Sequence, residues 1–218
     1  MVDNASVDDT PAYLTAWAAQ SNDRHVILNS ENRGFAAANN QGLVAASGDY
    51  LVLLNNDTYV TPGWIATLLA HLPHNRTLGM IGPVTNNIGN EARIDIHYDD
   101  MDGMLKAAGD YTARHAGQLT PLHTAAFFCV VMRRAVYEQV GSLDEAFGIG
   151  FFVDDDYCRR VEQAGWTIAC ADDVFIHHQL SASFSQLKPG KRQALFEKNK
   201  IIYEAKWGAW LPHNYRST

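Results

Sequence analysis

Three groups of polar side chains in the sequence could bind a cation or move a proton. One group ends the apolar run YLVLL at residues 50–54, and the other two accompany later apolar or helical segments. Carboxylate oxygens and imidazole nitrogens are usual ligands of Mg²⁺ or Mn²⁺, which commonly complete their coordination with substrate phosphates. Together the groups predict a site for a phosphate-bearing ligand. They are Asn55, Asn56 and Asp57; Asp154, Asp155 and Asp156; and His177 and His178.

Each group also has a purely structural interpretation. Asn and Asp favour turns, so residues 55–57 could simply reverse the chain. The carboxylates at 154–156 could offset the dipole at a helix start, although three adjacent charges exceed what a cap needs. Neighbouring strand residues point to opposite faces, so at most one residue of the pair at 177–178 is expected to be a ligand.

The segments between these groups predict one α/β domain over residues 1–218. The run at 50–54 is typical of a strand covered on both faces, and alternating helices and strands predict a mostly parallel sheet. A polar excursion at 85–120 is expected to shape the site. Further strands are predicted at 25–29, 79–84 and 125–134, with one or two short ones at 166–178. Helices are predicted at 9–21, 34–48, 61–72, 101–116, 134–140, 154–165 and within 187–210.

Composition and charge argue against several classes of protein. No apolar stretch is long enough for a membrane span or a signal peptide, which predicts a cytoplasmic chain. The net charge of −7, with scattered Lys and Arg, argues against a nucleic-acid partner. Three cysteines without C-x-x-C spacing predict buried thiols. No Walker loop, G-x-G-x-x-G fingerprint or catalytic-triad spacing is present.

Five segments resemble, in order, the sequential motifs of family 2 of the glycosyltransferases. The closing NKIIYEAKWGAW also resembles the tail of bacterial members that make rhamnose-containing or O-antigen-type polysaccharides. This resemblance implies the GT-A fold, a Rossmann-like three-layer α/β/α architecture with a mixed, mostly parallel sheet. It also implies sugar transfer from a nucleotide donor with inversion. The segments are VDNASVDDT (2–10), NRGFAAANNQG (32–42), GDYLVLLNNDTYVTPGW (48–64), FFVDDDYCRRVEQAGW (151–166) and IHHQLSASF (176–184).

The resemblance also implies which residues bind the metal. Asp57 takes the place of the metal-contacting carboxylate, whereas Asn55 stands where many members have the first Asp of a D-x-D motif. His178, five residues before Ser183, fits a late histidine that joins the metal and the diphosphate. His177 is the neighbouring alternative.

In the same way, Asp154 takes the place of the catalytic carboxylate. Val153 replaces the acidic residue that usually precedes it, and Asp155 and Asp156 are expected on the acceptor side.

The nucleotide contacts implied by the resemblance lie in the first 57 residues. Asp3 corresponds to an acidic residue near the base, where a carboxylate can accept the imide N–H of uracil or thymine. Asn39 stands where many members carry Arg. The remaining expected donor contacts are Asn32, Gly34, Asn40, Asn55 and Asn56.

The leading prediction is an inverting glycosyltransferase of surface-polysaccharide or cell-wall biosynthesis. It would use a UDP- or dTDP-sugar and a saccharide or lipid-linked acceptor, with peripheral association at the cytoplasmic face of the membrane. Since family members begin with a strand and helix before the VDNAS motif, about one β-α unit is expected to be missing. Two alternatives stay open: a nucleotide-sugar or glycan-binding module without catalysis, and a metal-dependent nucleotide-sugar hydrolase.

Overall fold

The computed structural model describes residues 1–179 and 189–216. Its strands are β1 (Val2–Asp3), β2 (Ile27–Leu28), β3 (Tyr50–Leu54), β4 (Thr58–Val60), β5 (Leu78–Val84), β6 (Leu119–Leu122), β7 (Cys129–Arg133) and β8 (Thr167–His178). Its helices are α1 (Thr10–Ala18), α2 (Phe35–Ala45), α3 (Trp64–His74), α4 (Met101–Arg114), α5 (Arg134–Val140), α6 (Val153–Gln163) and α7 (Pro189–Trp207), with a 3₁₀ turn at Glu145–Phe147.

The main sheet is mixed, as expected, but most of its strand pairs are antiparallel. Its strands are ordered β3-β7-β5-β8-β4, and β6 also pairs with β8. Only β5 and β8 pair in parallel within this sheet, while β1 and β2 form a separate parallel pair. Leu54 at the end of β3 pairs with Cys129 at the start of β7. Strand β7 therefore begins beside the end of β3 and runs antiparallel to it. The prediction of a mostly parallel sheet is therefore wrong for the described strands.

Helices cover both faces of this sheet. On one face, Leu68 and Leu72 of α3 pack against Ile81 and Val131. On the other, helices α2, α4, α5 and α6 pack against alternating residues of the same strands, including Met80 and Met132 of β5 and β7. Each large apolar side chain buried in this way contributes about 1.5–3 kcal/mol. The three-layer α/β/α architecture that was expected is present.

Strand β3 departs from its prediction. Leu51 and Leu53 are buried, but Val52 is 40% exposed and Leu54 is 44% exposed. Within the described residues β3 pairs only with β7, so it is an outermost strand of the sheet. The exposure of Val52 and Leu54 shows that one of its faces is also uncovered. The prediction that both faces are covered is wrong for this strand, because an unbroken apolar run does not reveal which neighbours are present.

Most helix predictions are confirmed in place, and α5 has the predicted bounds. The segment 166–178 forms one continuous strand rather than short pieces, with a register shift opposite Pro83 and Val84. The segment predicted within 187–210 is helical over Pro189–Trp207. Strands β1, β4 and β6 and the 3₁₀ turn were not predicted. Ser183 lies outside the described residues.

The cysteines are free and buried, as predicted. Burial raises the pKa of Cys129 to about 12, and it also raises the pKa values of Cys158 and Cys170, so all three thiols stay protonated and unreactive at neutral pH. Across residues 1–179 and 189–216, no helix is both long enough and apolar enough to span a bilayer.

Candidate active site

The carboxyl ends of β3, β5 and β8 lie at one edge of the main sheet. This follows because β7 runs antiparallel to both β3 and β5, while β5 runs parallel to β8. Open α/β sheets place ligands at this edge. Asn86, just after β5, holds the end of β8 at two points: its Oδ1 accepts from the His178 N–H at 2.8 Å, and its Nδ2 donates to the His178 carbonyl at 3.3 Å.

Residues 55–57 form a turn that delivers Asp57 to this edge. The Asn55 N–H donates to the Phe128 carbonyl at 2.8 Å, and the Thr58 hydroxyl donates to the Asn55 carbonyl at 2.7 Å. Strand β4 then pairs with β8 so that Thr58 lies opposite His178. The turn interpretation is correct as local geometry, and the turn places a carboxylate beside the predicted histidine.

The side chains of Asp57 and His178 lie next to each other at this edge. Their Oδ1 and Nε2 atoms are 3.4 Å apart, and His178 is buried, with its ring stacked on Phe128. The other ring nitrogen, Nδ1, lies 3.1 Å from the Asn87 carbonyl, which can only accept a hydrogen bond. In the neutral ring the proton is therefore on Nδ1, and the Nε2 lone pair faces Asp57, as a metal-ligating histidine requires.

His177 points to the opposite side of β8. Its Nδ1 lies 2.5 Å from the Tyr98 hydroxyl, and Tyr59 and Tyr98 contact the ring edge-on. Burial, and secondarily the neighbouring His178, lowers the pKa of His177. The structure thus brings His178, and not the alternative His177, next to Asp57.

The two donors at this edge fit a divalent cation that keeps most of its coordination for other ligands. Among the residues the structure describes, no group of three or more His, Cys, Asp and Glu side chains could hold a metal ion. Mg²⁺ and Mn²⁺ sites that bind substrate phosphates commonly use only one or two protein carboxylates and retain water. Asp57 and His178 fit such a shared site, and they do not form a closed structural one.

Asp154 lies in the first turn of α6, which follows a strained segment. Phe151 and Phe152 have φ values of 63° and 66°, a conformation that costs bulky residues about 1–3 kcal/mol each. The buried Asn199 of α7 holds this segment, since its Nδ2 donates to the Phe151 carbonyl at 3.3 Å and to the Phe147 carbonyl at 2.7 Å. Because a short turn at Gly165 joins α6 to β8, the start of α6 lies toward the edge where β8 ends.

The three adjacent carboxylates have different surroundings. Asp156 is fully buried and accepts from Arg160 at 3.0 Å and from the Trp207 indole at 2.9 Å, with the Lys206 ammonium also in contact. Asp156 was expected on the acceptor side, but it is part of an internal ion-pair network that joins α6 to α7.

Asp155 and Asp154 lie closer to solvent than this network. The Asp155 carboxylate is 2.8 Å from Nε2 of His213, a residue beyond α7. Asp154 is half-buried. Burial, and secondarily the Asp155 charge, raises the pKa of Asp154 to about 7. A carboxyl group tuned in this way is suited to accept a proton near neutral pH.

On the nucleotide side, the expected residues gather around Asn4. Asp3, at the end of β1, is buried and accepts from the Ser6 N–H at 3.2 Å. Asn4 donates to the Asn32 side chain at 2.9 Å and accepts from the Asn29 side chain at 3.1 Å. Asn4 and Asn29 were missed by sequence reasoning. Asn29 stands directly after the apolar residues of β2, as Asn55 does after β3, whereas Asn4 follows Asp3 and carries no such signal.

Helix α2 positions the remaining predicted donor contacts. Gly34 has a φ of 87°, and a Cβ there would lie 2.6 Å from the Gly148 carbonyl oxygen, so only glycine allows this close approach. The Asn39 side chain donates to the Phe35 carbonyl one helical turn back at 2.9 Å.

Asn40, which was expected to contact the donor, has a structural role instead. It is buried, and its amide bonds the Leu143 backbone in both directions and donates to Glu145 at 3.0 Å. These internal contacts remove Asn40 from the expected donor set.

A family model described as glycosyl transferase family 2 matches residues 1–141, which include β1, α2 and the Asp57 turn. The chain belongs to this family. The resemblance seen in the sequence is therefore confirmed.

One similar protein is itself named as a glycosyltransferase. The chain is 28% identical over 146 residues to the pre-mycofactocin glycosyltransferase of Mycobacterium tuberculosis, covering 66% of this chain and 29% of that protein. The chain thus spans less than a third of that relative's length.

Solved structures agree on the fold of this family 2 chain. S. aureus TarS 1–349 in complex with UDP-GlcNAc has a TM-score of 0.60 at 12% identity, covering 96% of this chain and 57% of that one. The mannosyltransferase PcManGT of Pyrobaculum calidifontis, in complex with GDP-Man and Mn²⁺, has a TM-score of 0.57 at 18% identity, covering 84% and 48%. The GT-A fold is confirmed.

Proposed function

We propose that this chain is an inverting glycosyltransferase that moves a sugar from a UDP- or dTDP-sugar to a saccharide or lipid-linked acceptor. The observation that carries the proposal is Asp154, a half-buried carboxyl whose pKa is raised to about 7 by burial and by Asp155. It lies in the first turn of α6, the end of that helix that is nearer the sheet edge where Asp57 and His178 meet. Titratable groups with shifted pKa values at such an edge are typical of catalytic sites.

In the proposed reaction, Asp154 accepts the proton of an acceptor hydroxyl. The hydroxyl oxygen forms a bond to the anomeric carbon from the face opposite the nucleotide, and the bond from that carbon to the diphosphate oxygen breaks. The sugar configuration inverts, the nucleoside diphosphate leaves with the bonding electron pair, and Asp154 later releases its proton to solvent. General-base assistance of this kind is worth about 10²–10⁴-fold.

Donor binding is assigned to the other residues of the same edge and of the first motif. Asp57 and His178 would hold Mg²⁺ or Mn²⁺, which when bound would neutralise charge on the diphosphate. Asp3 would accept the imide N–H of the pyrimidine. PcManGT in complex with GDP-Man and Mn²⁺ supports a metal-assisted site in this fold, without showing one in this chain.

The acceptor and the cellular role are proposed from the resemblance of the C-terminal helix region to polysaccharide-building members of the family. Cell-wall or surface-polysaccharide acceptors would place the chain at the cytoplasmic face of the membrane.

A binding module without catalysis is the second candidate, and the uncovered face of β3 favours it. Val52 and Leu54 precede Asn55 and are both at least 40% exposed, so the strand that delivers Asp57 is supported on one side only. Nucleotide binding could persist at a site supported in this way. Sugar transfer would not occur, because it needs the reacting groups to be held rigidly in place.

Product analysis distinguishes the candidates. The chain is incubated with Mn²⁺, UDP- and dTDP-sugars and a panel of saccharide and lipid-linked acceptors, and the products are separated by chromatography and identified by mass. A new glycosidic bond of inverted configuration supports transfer. Free sugar indicates a nucleotide-sugar hydrolase, and donor binding with neither product indicates a binding module.

A further inference from the structure

We propose that His213 is a positioning residue of the catalytic centre, which pairs with Asp155 and thereby keeps the neighbouring Asp154 free to accept a proton. The inference rests on the proposed function, because it depends on Asp154 as the base. No motif in the sequence indicates this role, since His213 lies beyond the last helix and 35 residues after His178.

The segment after α7 is anchored on both sides of His213. The Trp210 N–H donates to the Glu204 carboxylate at 3.0 Å, and the Trp210 ring meets Phe152 edge-on at 5.4 Å between centroids. At the far end, Arg216 donates to the buried Asp172 at 2.5 Å. His213 is therefore held against α6 by contacts at residues 210 and 216.

The His213 contact is well placed to neutralise one charge of the carboxylate triplet. Its Nε2 lies 2.8 Å from Asp155 Oδ1, and the two side chains are only 24% and 11% exposed. The hydrogen bond to Asp155 raises the pKa of His213, which favours its charged form. Since Asp156 is already paired with Lys206 and Arg160, His213 determines whether Asp155 presents a full negative charge to Asp154.

Other titratable groups near this pair act more weakly. The Glu91 carboxylate also favours the charged form of His213, after Asp155 and Asp154. On α6, burial raises the pKa of Cys158 so that its thiol is neutral, and Arg159 donates to the Tyr203 hydroxyl at 3.3 Å. These groups stay the same in the variants below, so differences between variants report on the His213–Asp155 pair.

The test uses variants with opposite expected effects on the pH dependence of kcat/KM. His213→Gln leaves the Asp155 charge unbalanced, so the acid limb of the profile should move up by about one pH unit. Asp155→Asn removes that charge, so the limb should move down. The double variant should lie near the wild-type profile, and His213→Lys, which restores a cation, should reverse most of the His213→Gln shift.

His123→Gln is the matched control. His123 forms a 2.8 Å ion pair with Glu162, also on α6, but its side chain is 89% exposed. The pH dependence of kcat/KM in His123→Gln should match that of wild type. A purely structural role of His213 would lower kcat at every pH, leave the limb in place and not be reversed by lysine; that result overturns the inference.

Carboxyl-carbon NMR titration of Asp154 in the full chain separates this inference from the proposed function. If wild type makes no glycosidic product, the proposed function fails, yet the Asp154 titration midpoint still tests the pairing. Opposite shifts of that midpoint in His213→Gln and Asp155→Asn support the inference. An unchanged midpoint in His213→Gln, in a variant whose circular dichroism matches wild type, contradicts it.

Discussion

Replacing Asp154 with Asn should reduce catalysis while making the folded chain more stable at alkaline pH. Asparagine keeps the size of the side chain but cannot accept the acceptor proton, so kcat should fall by about 10²–10⁴-fold. In wild type the pKa of about 7 means that about one tenth of Asp154 is ionised at pH 6. Activity should therefore fall about tenfold per pH unit below 7 and level off above pH 8.

The stability change follows from the same shift in pKa. A carboxyl with a pKa of about 7 in the folded chain and about 3.8 when unfolded contributes stability that is present below pH 4 and is lost as pH rises to about 7. The full shift corresponds to at most about 4 kcal/mol, and partial exposure reduces the expected effect to about 1–2 kcal/mol. Asp154→Asn should recover this stability at pH 8 and leave stability at pH 4 unchanged.

The two effects are measured on the same protein samples. Steady-state transfer rates are recorded between pH 5 and 9, and urea unfolding is followed at pH 4 and pH 8, with Asp110→Asn on the outer part of α4 as a control. Transfer by Asp154→Asn within a few fold of wild type would refute its role as base. An equal stability difference at both pH values would refute the raised pKa.

Three further substitutions test the metal edge, a close backbone approach and the internal ion pairs. His178→Ala should weaken Mn²⁺-dependent nucleotide binding by about 10–100-fold in calorimetry, whereas His177→Ala should not; equal losses would contradict the assignment of the ligand. Gly34→Ala should destabilise the chain by about 1–3 kcal/mol more than Gly117→Ala in urea unfolding, because both have positive φ but only Gly34 meets a backbone oxygen at 2.6 Å. Asp156→Asn should cost about 3 kcal/mol in the same measurement, since it removes the buried carboxylate that pairs with Arg160 and Lys206, and a loss below about 1 kcal/mol would contradict the network described here.

The sequence predicted the elements whose signals are local. The bounds of α5 follow from a short apolar pattern that ends at Gly141, which has a φ of 85°. The Asp57 turn was visible because amides and a carboxylate follow an apolar run directly. The direction of β7 was not visible, because antiparallel entry depends on how residues 85–120 return the chain to the sheet.

Site residues that depend on distant partners could not be predicted. Asp156 looked like Asp154 and Asp155 in the sequence, and only the packing of Trp207 and Lys206 against it reveals an internal ion pair. In the same way, Asn40 became structural through contacts more than 100 residues away. A motif shows which side chains are available, but burial and long-range partners determine their use.

The most direct test of the account is calorimetric titration of the chain with UDP and dTDP, in the presence of Mn²⁺ and then with EDTA. The Asp57–His178 edge predicts binding that requires the metal and is lost in His178→Ala. Binding that is equally tight in EDTA, or no binding of either nucleotide with Mn²⁺ present, would contradict the proposed donor site.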